Sequence, residues 1–244
     1  MPHFFIPPEN IHGQSFVLKG PEAHHLLNVR RCRVGQTIHL FDGTGKTYTG
    51  RIDRTTREEI SGVILEKDEA PLSSCTVRLY QSVPKGDRFD WLVEKTAELG
   101  VAVIIPLITE RSTIKDIPTA KIERWRRLAL AACKQCNRAD LIQVETPVRF
   151  ADILKSGLPS GTGIIPWEGE DSQTMDEALS GIAADTVNVF IGPEGGFTLQ
   201  EIERSRSAGL VPVTLGPRIL RAETAGLVAS LLVLHSAGEF GAKK

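Results

Sequence analysis

Two glycine-rich segments near the C-terminal end of the chain have the composition of ligand-binding loops. The first is VFIGPEGGFTLQEIE, residues 189–203, and the second is GPRILRAET, residues 216–224. Glycine permits unusual backbone angles and lets main-chain donors and acceptors approach a ligand closely. The first segment lacks the G-x-G-x-x-G spacing of a dinucleotide-binding turn, and Pro212 stands about where a ribose-binding carboxylate is expected. No Gly-Lys-Ser/Thr follows, so a phosphate-binding P-loop is not indicated either.

The elements around these segments place both on one edge of a sheet. VNVFI is short and continuously apolar, as a strand buried on both faces should be, and Thr198 and Glu201 form a capping-box pattern that opens a helix. VPVTL is a second strand, and if the two strands are parallel, both loops leave the carboxyl edge and form one pocket. Apolar side chains, backbone and carboxylates suit a cationic cofactor that has an apolar or aromatic part. The predicted binding residues are Gly192, Pro193, Glu194, Gly195, Gly196, Leu215, Gly216, Ile219, Leu220 and Glu223.

The rest of the chain predicts two domains. Short strand-like runs separated by Gly-containing turns, with one helix opened by Pro21, predict a small β-barrel over residues 1–70. Charges give way to Pro and Ser at residues 66–74, which indicates a linker. Alternating strands and helices over residues 75–244 predict an α/β domain with a mostly parallel sheet and helices on both faces.

Charge and cysteine content narrow the class of protein. The net charge of the 244 residues is −1, but residues 26–57 carry an excess of Arg and Lys over Asp. This basic segment indicates contact with RNA phosphates, while Phe41 within it either stacks a base or packs the barrel core. The longest apolar run near the C-terminus is too short for a membrane span, and four cysteines without a disulfide pattern favour the cytoplasm.

One helix carries two further candidate features. Cys133 and Cys136 lie on the same apolar stripe as Ile122, Trp125 and Ala129, so we expect packed thiols and no metal site. Another face of the helix carries basic residues, which form either a phosphate track or a solvated surface. The predicted RNA-binding residues of the whole chain are Arg30, Arg31, Arg33, Lys46, Arg51, Arg124, Arg127 and Lys134.

Several motifs, in order, resemble those of one known family. They are GDRFDWLVEKTAELGV, ITERS, AACKQCNRAD, FIGPEGGFTLQEIE and LGPRILRAETAGL, behind a small basic β-domain. Over residues 3–240 the chain resembles the RsmE family, S-adenosylmethionine-dependent methyltransferases of the SPOUT superfamily that act on uridine N3 in 16S ribosomal RNA. The resemblance implies a PUA-like RNA-binding domain and a C-terminal α/β domain with a trefoil knot that forms the cofactor pocket. It also implies a homodimer and a target uridine in the decoding region of the small subunit. Because the chain has few aromatic residues, we expect it to recognise structured RNA, either the assembled 30S subunit or naked 16S RNA.

Methyl transfer to uridine N3 sets a chemical requirement. N3 carries a proton and is a poor nucleophile until that proton is lost, so the site needs a base or a cation that stabilises the uridine anion. The candidate catalytic residues are Arg138, Arg111, Arg221 and Glu94. Arg221 and Glu223 are expected to organise the pocket, whereas Arg111 and Arg138 suit phosphate or the uridine charge. A surface ion pair is the alternative for each arginine, and Glu94 shares a predicted solvated helix face with Asp90 and Glu98.

Two other classes of function remain open at this level. One is a different α/β enzyme with a nucleotide cofactor, which the missing ribose-binding acid disfavours. The other is a non-catalytic RNA-binding module, which does not need a second organised glycine loop. The methyltransferase is the favoured interpretation.

Overall fold

The N-terminal strands pair into one sheet in the computed structural model, which describes residues 3–70, 73–180 and 185–241. The strand order is β1-β4-β5-β6-β3-β2, and only β1 and β4 pair in parallel. A short helix, α1 (Gly20–His24), continues into a π-helical turn (His25–Val29). The strands are β1 (His3–Phe5), β2 (Ile11–His12), β3 (Ser15–Lys19), β4 (Thr37–Phe41), β5 (Lys46–Thr55) and β6 (Glu59–Glu69).

The core of this first unit answers one open question from the sequence. Apolar side chains of β1, β3, β4 and α1 pack together between the strands. Phe41 is fully buried, so it packs the interior and does not present its ring for stacking on a base. Asp42 next to it accepts hydrogen bonds from Thr44 and from the Tyr48 hydroxyl, at 2.7 and 2.9 Å.

The predicted linker is wrong over its first residues. Residues 66–69 belong to β6, where Glu66 pairs with Thr49 and Glu69 pairs with Lys46 of β5. Their charges are compatible with a strand because their side chains are exposed. Pro71 and Leu72 of the predicted linker lie outside the described residues.

The chain divides into a first unit, residues 1–72 and 130–141, and a second unit, residues 73–129 and 142–244. The sequence assigned residues 130–141 to the second domain. They belong to the first unit because Asp140 bridges to Gly43, and because Leu141 N–H donates to the Gly43 carbonyl at 3.0 Å.

The second unit has the predicted α/β architecture. Its sheet has the order β10-β8-β7-β12-β11-β13, with β9 beside β8, and every pair is parallel. The strands are β7 (Thr76–Ser82), β8 (Val103–Ile108), β9 (Gln143–Val144), β10 (Val148–Arg149), β11 (Thr162–Pro166), β12 (Thr186–Ile191) and β13 (Val211–Val213). The helices are α2 (Arg88–Leu99), α3 (Thr119–Cys136), α4 (Phe150–Ser156), α5 (Met175–Leu179), α6 (Leu199–Ser207) and α7 (Ala222–Ser236). Residues 130–136 at the end of α3 belong to the first unit.

Local sequence signals explain how β12 and α6 position the first glycine loop. Strand β12 is buried along nearly its whole length, as its apolar run predicts. Helix α6 opens with the predicted capping box, since the Thr198 hydroxyl accepts from Glu201 N–H while the Glu201 carboxylate accepts from Thr198 N–H. The helix ends before Gly209, whose φ of +94° is left-handed. The predictions of the buried strand and of the capping box are confirmed.

The end of β13 passes between the two ends of another loop. Val213 C=O accepts from Trp167 N–H at 3.0 Å, and Thr214 N–H donates to Gln173 C=O at 2.8 Å. The C=O and N–H of one trans peptide point in opposite directions, so residues 167 and 173 flank the strand on opposite sides. The 167–173 segment therefore crosses the end of β13, and the trefoil knot that the resemblance implies stays a prediction.

The apolar stripe of α3 is buried as predicted. Trp125 is fully buried, and Ile122, Ala129 and Cys133 are also buried, while Cys136 is half-buried. Within the described ranges, no helix combines the length and apolar content needed to cross a membrane.

Candidate functional site

Three loops leave the carboxyl edge of the second unit's sheet side by side. The 192–197 loop follows β12, the 214–221 loop follows β13, and the 167–173 loop follows β11. Because β11 lies between β12 and β13, its loop begins between the other two before it crosses the end of β13. The sequence predictions included the outer two loops and missed the middle one. Its signal was the strand end IIPW followed by Gly169 and acidic residues at the same edge.

A cavity of about 450 Å³ opens at this edge. Its size is that of an ordinary small-molecule site. Of the predicted binding residues, Leu215, Gly216, Ile219 and Leu220 line it. The full lining is Pro166, Trp167, Glu168, Glu170, Asp171, Thr214, Leu215, Gly216, Pro217, Arg218, Ile219, Leu220 and Ala225.

The 192–197 loop borders the cavity through one close contact. A Cβ on Gly196 would collide with the Glu168 carboxylate, and the φ of Gly196 is +66°. Gly192 is also close to its surroundings, because a Cβ there would lie 3.0 Å from the Phe197 ring. Glycine at 196 allows the first loop to pack against the 167–173 loop, while glycine at 192 allows the first loop to pack against its own Phe197.

Arg111 holds the 192–197 loop from the β8 side. Its Nη1 atom donates to Gly195 C=O at 2.8 Å and to Phe197 C=O at 3.4 Å. The preceding residue is fixed as well, since Glu110 N–H donates to the Glu201 carboxylate at 2.9 Å. Arg111 thus contacts backbone of the predicted pocket, which makes it a candidate for positioning that loop.

Arg88 links the two outer loops and was missed by sequence reasoning. Its guanidinium lies 3.7 Å from the Glu194 carboxylate of the first loop and 3.7 Å from the Glu223 carboxylate in the first turn of α7. Lys85 N–H also points at Glu194, at 3.4 Å. The available signal was its position at the start of a helix that follows β7, at the same sheet edge.

Buried polar groups fix the first turn of α7. Glu223 is buried, and Gln81 at the end of β7 donates to Ala222 C=O at 3.3 Å. Gly226 is required one turn later, because a Cβ there would collide with the Gln81 side-chain oxygen. Arg221, the N-cap residue of α7, is exposed.

The residues present fit a cofactor that is apolar at one end and positively charged at the other. Pro166, Leu215, Ile219 and Leu220 supply the apolar lining. The lining also carries three carboxylates and a single arginine, Arg218. The backbone of Gly216 is open to the cavity, because a Cβ built on it meets no atom within 4 Å.

Arg138 lies in the first unit, in a tight pair with Asp140. Nε and Nη2 of Arg138 donate to the two carboxylate oxygens at 2.9 and 2.6 Å. Burial acts to raise the pKa of Asp140, but the hydrogen bonds and charge of Arg138 outweigh it and hold that pKa below its ordinary value. The Arg138 guanidinium is therefore oriented by a carboxylate.

Glu94 is half-buried on α2, and the solvated face predicted for this helix is wrong at Asp90. Asp90 is buried and accepts hydrogen bonds from Arg124 at 2.5 Å and from the Trp125 indole at 2.8 Å. The spacing of acidic residues along one helix does not show that a neighbouring helix will donate hydrogen bonds to one of them.

The predicted RNA-binding residues differ in their surroundings. Arg30, Arg31, Arg33 and Arg127 are exposed, and Lys46 is half-buried. Arg51 pairs with Asp53 at 3.1 Å, and Arg124 pairs with Asp90. Lys134 is bound to Glu22 at 2.6 Å, so its charge is already matched within the first unit.

Cys133 and Cys136 show packing contacts. Cys133 is buried, and the Cys136 thiol lies 3.6 Å from the Cys133 carbonyl oxygen. In the part of the chain that the structure describes, no group of three or more His, Cys, Asp or Glu could hold a metal ion.

Two family models match the chain. Residues 71–234 match an RNA methyltransferase domain, and residues 18–65 match an RNA methyltransferase PUA domain. Together with the observed sheets, these matches confirm the predicted fold class, a PUA-like domain followed by an α/β methyltransferase domain.

Curated relatives match over nearly the whole chain. The ribosomal RNA small subunit methyltransferase E of Bacillus subtilis is 31% identical over 227 residues, which cover 88% of this chain and 88% of that protein. The ribosomal RNA small subunit methyltransferase E of Aquifex aeolicus is 32% identical over 232 residues, 91% of this chain and 95% of that protein.

Two similar solved structures contain the methyl donor. A ribosomal RNA small subunit methyltransferase E from Neisseria gonorrhoeae, bound to S-adenosylmethionine, is 34% identical, covers 94% of this chain and 95% of its own, and has a TM-score of 0.82. A putative methyltransferase from Legionella pneumophila, also in complex with this cofactor, is 31% identical, covers 96% and 97%, and has a TM-score of 0.77.

Proposed function

We propose that this chain, which belongs to the RsmE family of ribosomal RNA small subunit methyltransferases, transfers a methyl group from S-adenosylmethionine to N3 of a uridine in 16S ribosomal RNA. The observation that carries the proposal is the cavity at the carboxyl edge of the sheet, bordered by the 192–197 loop. S-adenosylmethionine is the cofactor that solved relatives hold. A ribosomal RNA substrate implies a cytoplasmic enzyme.

The residues around the cavity have separate tasks in this reaction. When bound, S-adenosylmethionine supplies an electrophilic methyl group on a positively charged sulfur. The 167–173 and 214–221 loops hold the cofactor, while Arg111 and Arg88 keep the 192–197 loop and α7 in place around it. This orientation contributes to rate because the displacement needs donor and nucleophile in line.

The uridine must lose its N3 proton before it can accept the methyl group. Among the predicted catalytic residues, Arg221 is exposed at the end of the 214–221 loop, where a cation can stabilise the uridine anion. Arg138 lies in the first unit and is oriented by Asp140, which suits a phosphate contact. Glu94 is half-buried on α2 and is not among the residues that line the cavity.

We propose that the exposed arginines of the first unit position the RNA. Arg30, Arg31 and Arg33 lie in one exposed segment that also exposes Val29 and Val34. Such contacts neutralise phosphates without reading sequence, so they favour a structured substrate such as the 30S subunit.

The test is methyl transfer from radiolabelled S-adenosylmethionine to 30S subunits and to naked 16S RNA, both from cells that lack this protein. An N3-methyl group blocks the Watson–Crick edge, so we expect one new reverse-transcription stop at a uridine in the decoding region. Incorporation of label into the RNA without such a stop would show that an atom other than N3 is methylated. Label in naked RNA alone would contradict the assembled subunit as the substrate.

We also propose that α7 forms the contact of a homodimer. The helix is apolar on two sides, because Val233 and Leu234 are buried while Leu231 is 38% exposed and Leu227 and Val228 are half-buried. A helix that is apolar all round is normally buried. Helix α2, which packs against α7, adds Trp91 at 43% exposed.

Replacing Leu231 with aspartate should convert the dimer to a monomer, because the new charge would be buried without a partner in the contact. Light scattering after size-exclusion chromatography measures the mass directly. The matched control is Leu199→Asp, the same change at a more exposed leucine of α6, which should leave the mass unchanged. A monomeric unmodified protein, or an unchanged mass for Leu231→Asp, would count against this interface.

A further inference from the structure

The Glu168 side chain lies where two cofactor loops meet. It lines the cavity, and its carboxylate occupies the space into which a side chain on Gly196 would extend. Glu168 thus belongs to the 167–173 loop and touches the 192–197 loop. A charge at this junction lies beside any ligand that both loops hold.

Glu170, a second carboxylate of the lining, is already occupied. Its carboxylate accepts from the Ser172 hydroxyl at 2.8 Å, from Gln173 N–H at 3.2 Å and from Arg206 at 2.9 Å. These hydrogen bonds, led by that from Ser172, hold the pKa of Glu170 below its ordinary value. Glu170 therefore shapes the loop and has little capacity left for a ligand.

Glu168 differs from Glu170 because its carboxylate does not hold its own loop together. Its side chain is exposed, and no hydrogen bond or ion pair joins its carboxylate to another residue in the described ranges. Apolar side chains line the cavity on both sides, from Leu215, Ile219 and Leu220 of the 214–221 loop and from Pro166 and Trp167 next to Glu168. The cavity thus offers apolar surface for a ring and, at Glu168, a carboxylate for a positive charge.

We propose that Glu168 is a specificity-determining residue, whose carboxylate attracts the sulfonium charge of the methyl donor and so distinguishes S-adenosylmethionine from its product. This inference rests on the proposed function. The product, S-adenosylhomocysteine, keeps the adenine, the ribose and the amino-acid group but has an uncharged thioether sulfur. A carboxylate at the junction therefore favours the reactant over the product, which limits product inhibition.

The test is the isosteric change Glu168→Gln, with affinities measured by calorimetry. We expect the affinity for S-adenosylmethionine to fall about fivefold, since an exposed, partly screened charge pair has this order of strength. The affinity for S-adenosylhomocysteine should change less than about twofold, because the lost charge has no partner in the product. Sinefungin, which carries a protonated amine in place of the sulfonium, should follow S-adenosylmethionine.

Salt gives a second readout that a packing role would not produce. In the unmodified protein the preference for donor over product should decrease as ionic strength rises, because an exposed pair is screened. In Glu168→Gln this salt dependence should be lost. The matched control is Glu203→Gln, the same change on an exposed residue of α6 outside the cavity, which should preserve both affinities.

Each other outcome overturns a specific claim. Equal losses for donor and product would assign Glu168 to a ribose hydroxyl or to loop packing, and no loss for either would remove it from the site. If Asp171→Asn loses the preference for donor over product while Glu168→Gln keeps it, the role belongs to Asp171 and the proposal for Glu168 is wrong. Absence of cofactor binding by the unmodified protein would overturn the proposed function itself, and this inference with it.

Discussion

Replacing Gly216 with leucine should lower the affinity for S-adenosylmethionine by roughly 100-fold or more, because the new side chain would fill part of the cavity. Gly216 lines the cavity, and a Cβ at this position meets no protein atom within 4 Å, so the substitution does not force the protein itself to move. The measurement is calorimetric titration of the folded variant, together with its thermal unfolding.

Backbone strain is the complication in that experiment, and the chain offers a matched control. The φ of Gly216 is +95°, which costs a leucine about 1–3 kcal/mol in stability. Gly209 has a φ of +94° and equally open surroundings, but it lies after α6, outside the cavity lining. Gly209→Leu should therefore lose similar stability and keep its cofactor affinity. If both variants bind the cofactor normally, the pocket assignment fails.

Replacing Arg111 with methionine should weaken cofactor binding by about tenfold, the lower end of what a charge-assisted hydrogen bond contributes. The variant loses the donors that hold Gly195 C=O and Phe197 C=O, so the 192–197 loop becomes less well ordered before the cofactor arrives. The measurement separates KM for S-adenosylmethionine from kcat on 30S subunits. We expect the change mainly in KM.

The opposite pattern would restore the role that the sequence suggested for Arg111. If kcat falls while cofactor affinity is unchanged, the guanidinium acts on the uridine or on a phosphate. Arg126→Met is the matched control, since Arg126 is also an exposed arginine that donates to a backbone carbonyl, that of Val144, at 3.1 Å. It should change neither parameter.

The sequence predicted the elements of the site well because their signals are local. The apolar run of β12 and the capping box of Thr198 and Glu201 each depend on residues within one strand or turn. The parallel arrangement that brings the loops to one edge follows from the alternation of strands and helices. The resemblance to the RsmE family added what local signals lack, namely the reaction and the cofactor.

The contacts that complete the site could not be predicted because they join residues far apart in the chain. Arg88 meets Glu194 and Glu223 only because β7 lies next to β12 beneath α7. Asp90 was expected in solvent because the pattern of its own helix gives no information about the donors on α3. The 167–173 loop was missed for the same reason, because the loops next to it follow β12 and β13, and only the folded sheet places these strands on either side of β11.

The hydrogen bonds on both sides of β13 also make the cavity depend on two separate parts of the chain. Residues 215–220, which line the cavity, directly follow the peptide whose carbonyl and N–H bind Trp167 and Gln173. The cavity therefore exists only when residues 167–173 and the segment that follows β13 have folded against each other. Cofactor binding is thus a property of the folded second unit, and no short segment of it could hold the methyl donor alone.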